Sequence, residues 1–353
     1  MSSKYLAQTS SWSNKFDNIG YGEVVAVCPN TSGNAYMATC LDYTNVFSYF
    51  RIIFWDDFSE QFQDYTGSAF LQKITGMKLV DDSLLFVTGN VTILGNPGHF
   101  AKLNVITKKW TLLGTITGPI GAIYCLEQVN AKIYLGGMFT QLNSVNNYKS
   151  ICVYNYLTNL FDSVPGVLKG FVAFQTPTVN ALCKVNSDLV VGGSYLAAGT
   201  QTLNSIGLWT GTAWQNLNGG LRNFYSGLDN PALVTCIEND TITGSSNFFI
   251  GGHFTKANNV IQYTTSNNLF DCIFKWNNSL AKWDTIPNIK SFNNYTWFNG
   301  PYNLNSIKFY KGKLYSAFSN GTFANYYGGK YVVANFTASN WQLLNIPINN
   351  RNL

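Results

Sequence analysis

An all-β chain built from a recurring four-stranded unit is what this sequence predicts, and three observations predict it. Tyr (21) and Phe (25) are plentiful while His (2) and Met (4) are scarce, a bias that together with abundant Asn, Ser, Thr and Gly favours strands and turns over helices. Charged residues make up 11% of the 353 residues and hydrophobic ones 46%, so the chain can bury a large core beneath an uncharged polar surface. The third observation is periodicity, because one pattern returns from end to end.

That pattern is an apolar strand, a turn, an apolar strand ending near Gly-Gly, a variable loop, a third strand, and an aromatic residue followed by Leu or Ile. The fourth copy is the clearest. It runs Val179 to Cys183, Leu189-Val-Val-Gly-Gly193, Ser205-Ile-Gly-Leu-Trp209 and Trp214-Gln-Asn-Leu217. The third has Ala122 to Cys125, Ile133-Tyr-Leu-Gly-Gly-Met-Phe-Thr140, Ser150 to Tyr154 and Leu160-Phe161; the fifth has Val234-Thr-Cys236, Phe248-Phe-Ile-Gly-Gly-His-Phe-Thr255, Cys272 to Trp276 and Trp283 to Ile286. Three further copies are degenerate but in phase, from Val24 to Tyr65, Ile74 to Gly114 and Leu304 to Ile348.

No copy could bury both faces of its own sheet, whereas neighbours stacked radially would. The expected architecture is therefore one β-propeller domain over residues 1–353, with about six four-stranded blades. Residues 1–20 read as an N-terminal strand pair or closure segment, since Tyr5 to Trp12 resembles Tyr331 to Trp341, and a seventh blade is the alternative count. Gly-Gly is expected where a blade approaches a crowded central axis. A phosphate cradle is disfavoured, because no helix with Lys and Ser or Thr follows the pair.

Most of the seven cysteines follow the repeat. Cys28, Cys125, Cys183 and Cys236 are read as one slot in the first strand, filled elsewhere by Met77 and Ile307; Cys152 and Cys272 are matched with Gly207 and Ala101 in the third. Buried packing thiols are the reading, with no CxxC spacing for zinc and an odd count against a disulfide framework. His99 and His253 lie near strand ends, and neither a metal nor another cofactor is expected. The net charge of +5 is thinly spread, which argues against nucleic-acid binding. No leader or membrane-spanning stretch is evident, so a cytoplasmic or virion location is expected, although seven Asn-x-Ser/Thr sequons occur.

Gly-Gly ending the second strand, an aromatic in the third and Trp in the fourth resemble kelch-type propeller repeats. The variant Gly-Gly-x-Phe-Thr, as in Gly136 to Thr140 and Gly251 to Thr255, is similar to repeats of fungal cell-polarity landmark proteins and of large DNA virus repeat proteins. The resemblance implies a propeller and a recognition role. The expectation is thus a non-catalytic interaction or structural scaffold, in its finer form a virion or viral-factory component. A carbohydrate-binding, lectin-like propeller is the first alternative, and an enzyme with a site at the central channel the second. Copper radical oxidases have a kelch-like propeller, but their site needs two Tyr, two His, a Tyr-Cys crosslink and a ligand from a further domain, and the two His here, His99 and His253, are all the histidine this chain has.

Propeller function resides in loops, and two exceed the needs of the repeat. Lys256 to Leu269 lengthens a loop in the fifth copy. Pro287 to Asn303 carries Phe292, Tyr295, Trp297, Phe298 and Tyr302, the expected surface for a protein partner, for self-assembly or for a sugar. A shorter candidate is Arg222-Asn-Phe-Tyr225 with Leu228.

Overall fold

The computed structural model describes residues 23–40, 50–117, 121–146, 148–172, 175–225, 228–240, 246–261, 272–286, 302–310, 313–320, 331–337 and 340–343. Among these, each of the six repeats gives four antiparallel strands in chain order. Two compact units divide the chain: Met1–Gln128 with Gly137–Tyr148 and Asn345–Leu353, and Val129–Gly136 with Lys149–Leu344. The segment 1–20 lies outside the described residues.

A β-bulge marks the first strand of five repeats, with register shifts at Val24/Ala26, Ile74/Gly76, Val179/Ala181, Val234/Cys236 and Leu304/Ser306. The extra residue bends the strand and drives its backbone towards the second strand. This is where Gly-Gly acts. A Cβ on Gly193 would lie 2.9 Å from Val179 Cα and closer still to the Thr178 carbonyl oxygen, and Gly89, Gly137 and Gly252 meet the same part of their own first strands. The first glycine of the pair serves the next repeat instead: a Cβ on Gly192 would lie 2.6 Å from Val234 Cγ1, and one on Gly251 would strike Leu304. The pair therefore answers to a bulge within the repeat and to the packing of its successor.

Four of the fourth-strand hairpins share one design. Four-residue loops separate Asp56 from Gln61, Asn104 from Lys109, Asn155 from Leu160 and Asn277 from Lys282. The side-chain oxygen of Asp56, Asn104, Asn155 or Asn277 accepts backbone N–H groups of the loop. The fourth loop residue (Glu60, Lys108, Asn159 or Ala281) has positive φ, closing a type of turn that short polar side chains stabilise.

In the first unit, Ile52, Leu85, Val87, Ala101 and Leu103 belong to one buried cluster. Its second repeat is tied on both sides. Trp110 Nε1 donates to the Thr66 carbonyl at 2.9 Å, and the bulge residue Thr75 donates its hydroxyl to the Ile123 carbonyl at 2.6 Å. Lys78 forms an ion pair with Glu127.

The second unit repeats the same bonds. Val190, Ile206, Phe248, Ile250, Phe254 and Phe274 form its core. Trp214 Nε1 donates to the Pro165 carbonyl (2.7 Å) and Trp283 Nε1 to that of Leu217 (2.9 Å), each reaching the end of the preceding repeat. In the other direction, Thr235 donates to the Leu304 carbonyl (3.0 Å), Ser150 to that of Pro177 (2.5 Å) and Ser205 to that of Ala232 (2.8 Å). Lys308 pairs with Glu238 at 2.7 Å. Ser150 and Ser205 are fully buried and hold positive φ, so their hydroxyls have no water to fall back on. Replacing Ser205 with Ala should cost about 1–3 kcal/mol in a denaturant titration, the cost of leaving a buried carbonyl unpaired.

Candidate functional site

A second, shorter ladder forms at the end of the repeats where the Gly-Gly strand finishes. The connectors entering the second, third, fourth and fifth repeats each pair with the hairpin between that repeat's second and third strands: Ala69 to Leu71 with Val91 to Ile93, Ile116 with Leu142, Leu168–Lys169 with Ala197–Ala198, and Leu221–Arg222 with Lys256–Ala257. Two-residue turns fold all four of these hairpins, and two have positive φ at both turn residues, Leu94 with Gly95 and Asn143 with Ser144, the twist-matched geometry of tight hairpins.

Amide side chains lock connector to hairpin. In the first unit, Asn143 accepts the Thr115 N–H at 2.8 Å and donates to the Leu113 carbonyl at 3.0 Å. In the second, Asn204 donates to the Gly219 carbonyl (2.7 Å), Asn216 to that of Thr202 (2.6 Å) and Asn258 to Asn218 Oδ1 (3.1 Å). These amides hold loops in place; their chemistry is positioning. Sequence reading missed them, although Asn-Ser at a hairpin tip is a visible turn signal.

The connector after the fourth repeat goes further. Its strand Leu221–Tyr225 pairs first with the hairpin and then folds back on Leu228–Asn230, and the Arg222 guanidinium stands 5.7 Å from the Phe171 ring centroid. Arg222, singled out from sequence, is thus placed against an aromatic of the previous connector. Of the loop from Lys256, the stretch to Ile261 is the hairpin just described, and 262–271 lies outside the described residues. Phe292, Tyr295, Trp297 and Phe298 also lie outside them. Tyr302 opens the strand Tyr302–Tyr310, paired with Asn320, at the strand end where the connectors above enter their own repeats.

The cysteines do not share one slot. Counted from the bulge, Cys236 pairs with Gly251, whereas Cys183 pairs with Val190 and Cys28 with Tyr36, two residues further along; Met77 and Ile307 fall between these positions. Nor does Cys272 match Cys152. Ile273 faces Gly251 as Ile151 faces Gly136, which puts Phe274 in that place. Both slips came from matching residues by type rather than by their pairing with the second strand. Burial pushes the Cys152 thiol well up and that of Cys28 up to about 11 from 9.0. Because folding favours the neutral Cys28 thiol, its stabilising contribution is intact below pH 9 and is lost as pH rises towards 11. Unfolding midpoints should fall across that window, and a Cys28→Ala variant should show a shallower fall.

Among the described residues, no group of three or more His, Cys, Asp or Glu gathers to hold a metal, and no helix is long and apolar enough to cross a membrane. His253 ends its strand opposite Leu233. His99 accepts the Ile116 N–H at its Nδ1, 3.1 Å away.

No family model matches the chain, and no curated protein matches it. Solved structures do. A GH74 xyloglucanase from Xanthomonas campestris is similar with a TM-score of 0.54 and 12% identity, covering 92% of this chain and 45% of the xyloglucanase. The β-propeller domain of the Trilobed protease from Pyrococcus furiosus gives 0.51 and 7%, over 92% and 83% of the two chains. A protein from Lactobacillus plantarum gives 0.50 and 11%, over 88% and 80%. The chain thus spans less than half the length of the xyloglucanase it resembles. At such identities the likeness concerns the fold, and together with the repeated four-stranded units it makes this chain an all-β propeller protein.

Proposed function

We propose that this chain is a six-bladed, kelch-like propeller over residues 1–353, and that it acts as a non-catalytic interaction or structural scaffold. Its protein partner docks on the Gly-Gly end of the second unit, on the segment 287–303. One observation carries this reading: Tyr302 opens its strand at the end where, in the fourth and fifth repeats, connectors and hairpins are tied by Asn204, Asn216 and Asn258 into a rigid base. A rigid base limits the ordering cost of binding, and large aromatic side chains dominate such contacts.

The test compares wild type with a Trp297→Ala, Phe298→Ala double variant in pull-downs from the native source, in glycan arrays and in cross-linking of assembled particles. A stoichiometric protein partner whose affinity falls about a hundredfold or more in the variant is expected, the loss of an aromatic anchor. Cross-linking to a particle component would support the finer reading, a virion or viral-factory role. Glycan binding without a protein partner would replace the scaffold by the lectin-like alternative.

A further inference from the structure

The connector Leu113–Thr117 in the first unit is held by an unusual acceptor. Asn143 holds Leu113 and Thr115, Thr115 Oγ1 donates to the Pro97 carbonyl at 3.2 Å, and the Ser144 N–H reaches Thr117 Oγ1 at 3.1 Å. Between them the Ile116 N–H is satisfied by an imidazole nitrogen, His99 Nδ1. Ile116 is the ladder residue itself, buried and bridged to buried Leu142. Every other tie in this network is an amide, hydroxyl or carbonyl, which no physiological pH change alters.

An imidazole differs. Nδ1 accepts only while it is unprotonated, so the hydrogen bond fixes the neutral tautomer with its proton on Nε2. Protonation would turn the acceptor into a donor facing a donor, and the buried Ile116 N–H would lose its partner. The surroundings offer no compensation. Among the elements around His99, the strand Leu84–Ile93 carries no charge, nor do 113–117 and the hairpin Gln141 to Asn146; Asn96–Asn104 carries Lys102 and Lys109–Gly114 carries Lys109. The neighbouring strand Ala69–Val80 adds Lys73 and Lys78. All four are cations, and no carboxylate on these elements would favour an imidazolium. Consistently, burial holds the half-buried His99 below its ordinary 6.5.

We infer that His99 is a pH-sensitive latch, closed while neutral, and that its protonation releases the connector Leu113–Thr117 from the ladder at the Gly-Gly end. This is independent of the scaffold reading, which concerns the second unit. The sign follows from the acceptor role: a histidine held neutral by the fold stabilises at pH above its ordinary value and ceases to do so as pH falls below it.

Amide hydrogen exchange of residues 113–117, corrected for intrinsic rates, tests this in the full chain between about pH 7.5 and about pH 5. Protection should fall about tenfold in wild type, the factor expected for one hydrogen bond, while the protection of Val190 and Ile250 in the second unit stays constant. A His99→Asn variant, whose Oδ1 can accept the same N–H without titrating, should keep its protection at both pH values. Unchanged wild-type protection, or an equal fall in the variant, would overturn the inference. Should the variant not fold, ring ¹⁵N shifts of wild-type His99 decide: a ring that charges while the Ile116 amide keeps its protection also overturns it.

Discussion

Gly193→Ala should destabilise the chain by more than about 3 kcal/mol, beyond the usual range for overpacking. The added methyl would fall on backbone, the Thr178 carbonyl and Val179 Cα, inside a bulged strand pair that fixes both sides. Backbone cannot swing aside as a side chain can. Gly192→Ala is the control one residue away. Its methyl meets the ends of Val234 and Ile237, which can shift in part, so its cost should remain within about 1–3 kcal/mol. Urea unfolding with an unchanged slope measures both. Equal costs would show that the bulge does not set the requirement for the second glycine.

The second large effect is expected at Trp283. Its ring lies 4.9 Å from Trp276 at 62° and 6.1 Å from Phe248 at 86°, edge-to-face in both cases, and it is 2% exposed. Trp283→Ala should therefore cost about 3–5 kcal/mol. Trp283→Phe separates packing from hydrogen bonding, because the smaller ring keeps much of the contact but cannot donate to the Leu217 carbonyl. Its cost should be about 1–3 kcal/mol. If Phe were neutral, the indole bond to the preceding repeat would have no energetic role.

The repeat was legible because its determinants are local. Strand alternation, Gly-Gly and the fourth-strand aromatic all sit at fixed offsets. So does a spacing that the sequence displays plainly: Asp56, Asn104, Asn155 and Asn277 each precede an aromatic, Phe62, Trp110, Phe161 or Trp283, by six residues, the length of one closed hairpin. The bulge was not legible, since an extra residue leaves no mark on an apolar run, and Cys28, Cys236 and Cys272 were matched by residue type where only strand pairing fixes their places. The ladder at the Gly-Gly end escaped for another reason. Ile116 finds Leu142 only once two loops distant in sequence meet, and a two-residue ladder is too short to show a period. The aromatic segment was legible as composition alone, so its role rests on the binding experiment.

The bonds joining one repeat to the next have an evolutionary corollary. Trp110, Trp214, Trp283, Thr75, Thr235, Ser150 and Ser205 all donate to main-chain carbonyls, and every amino acid presents the same carbonyl. Such a junction carries no memory of which repeat lies beyond it. Among the described residues, side-chain pairs such as Lys78 with Glu127, Glu238 with Lys308, Thr31 with Asp82 and Asn186 with Ser246 do distinguish one neighbour from another. A gene of this kind can gain, lose or shuffle whole repeats by recombination while keeping its main-chain joints, and those side-chain pairs are the places where a reordered chain would be recognised as foreign to itself.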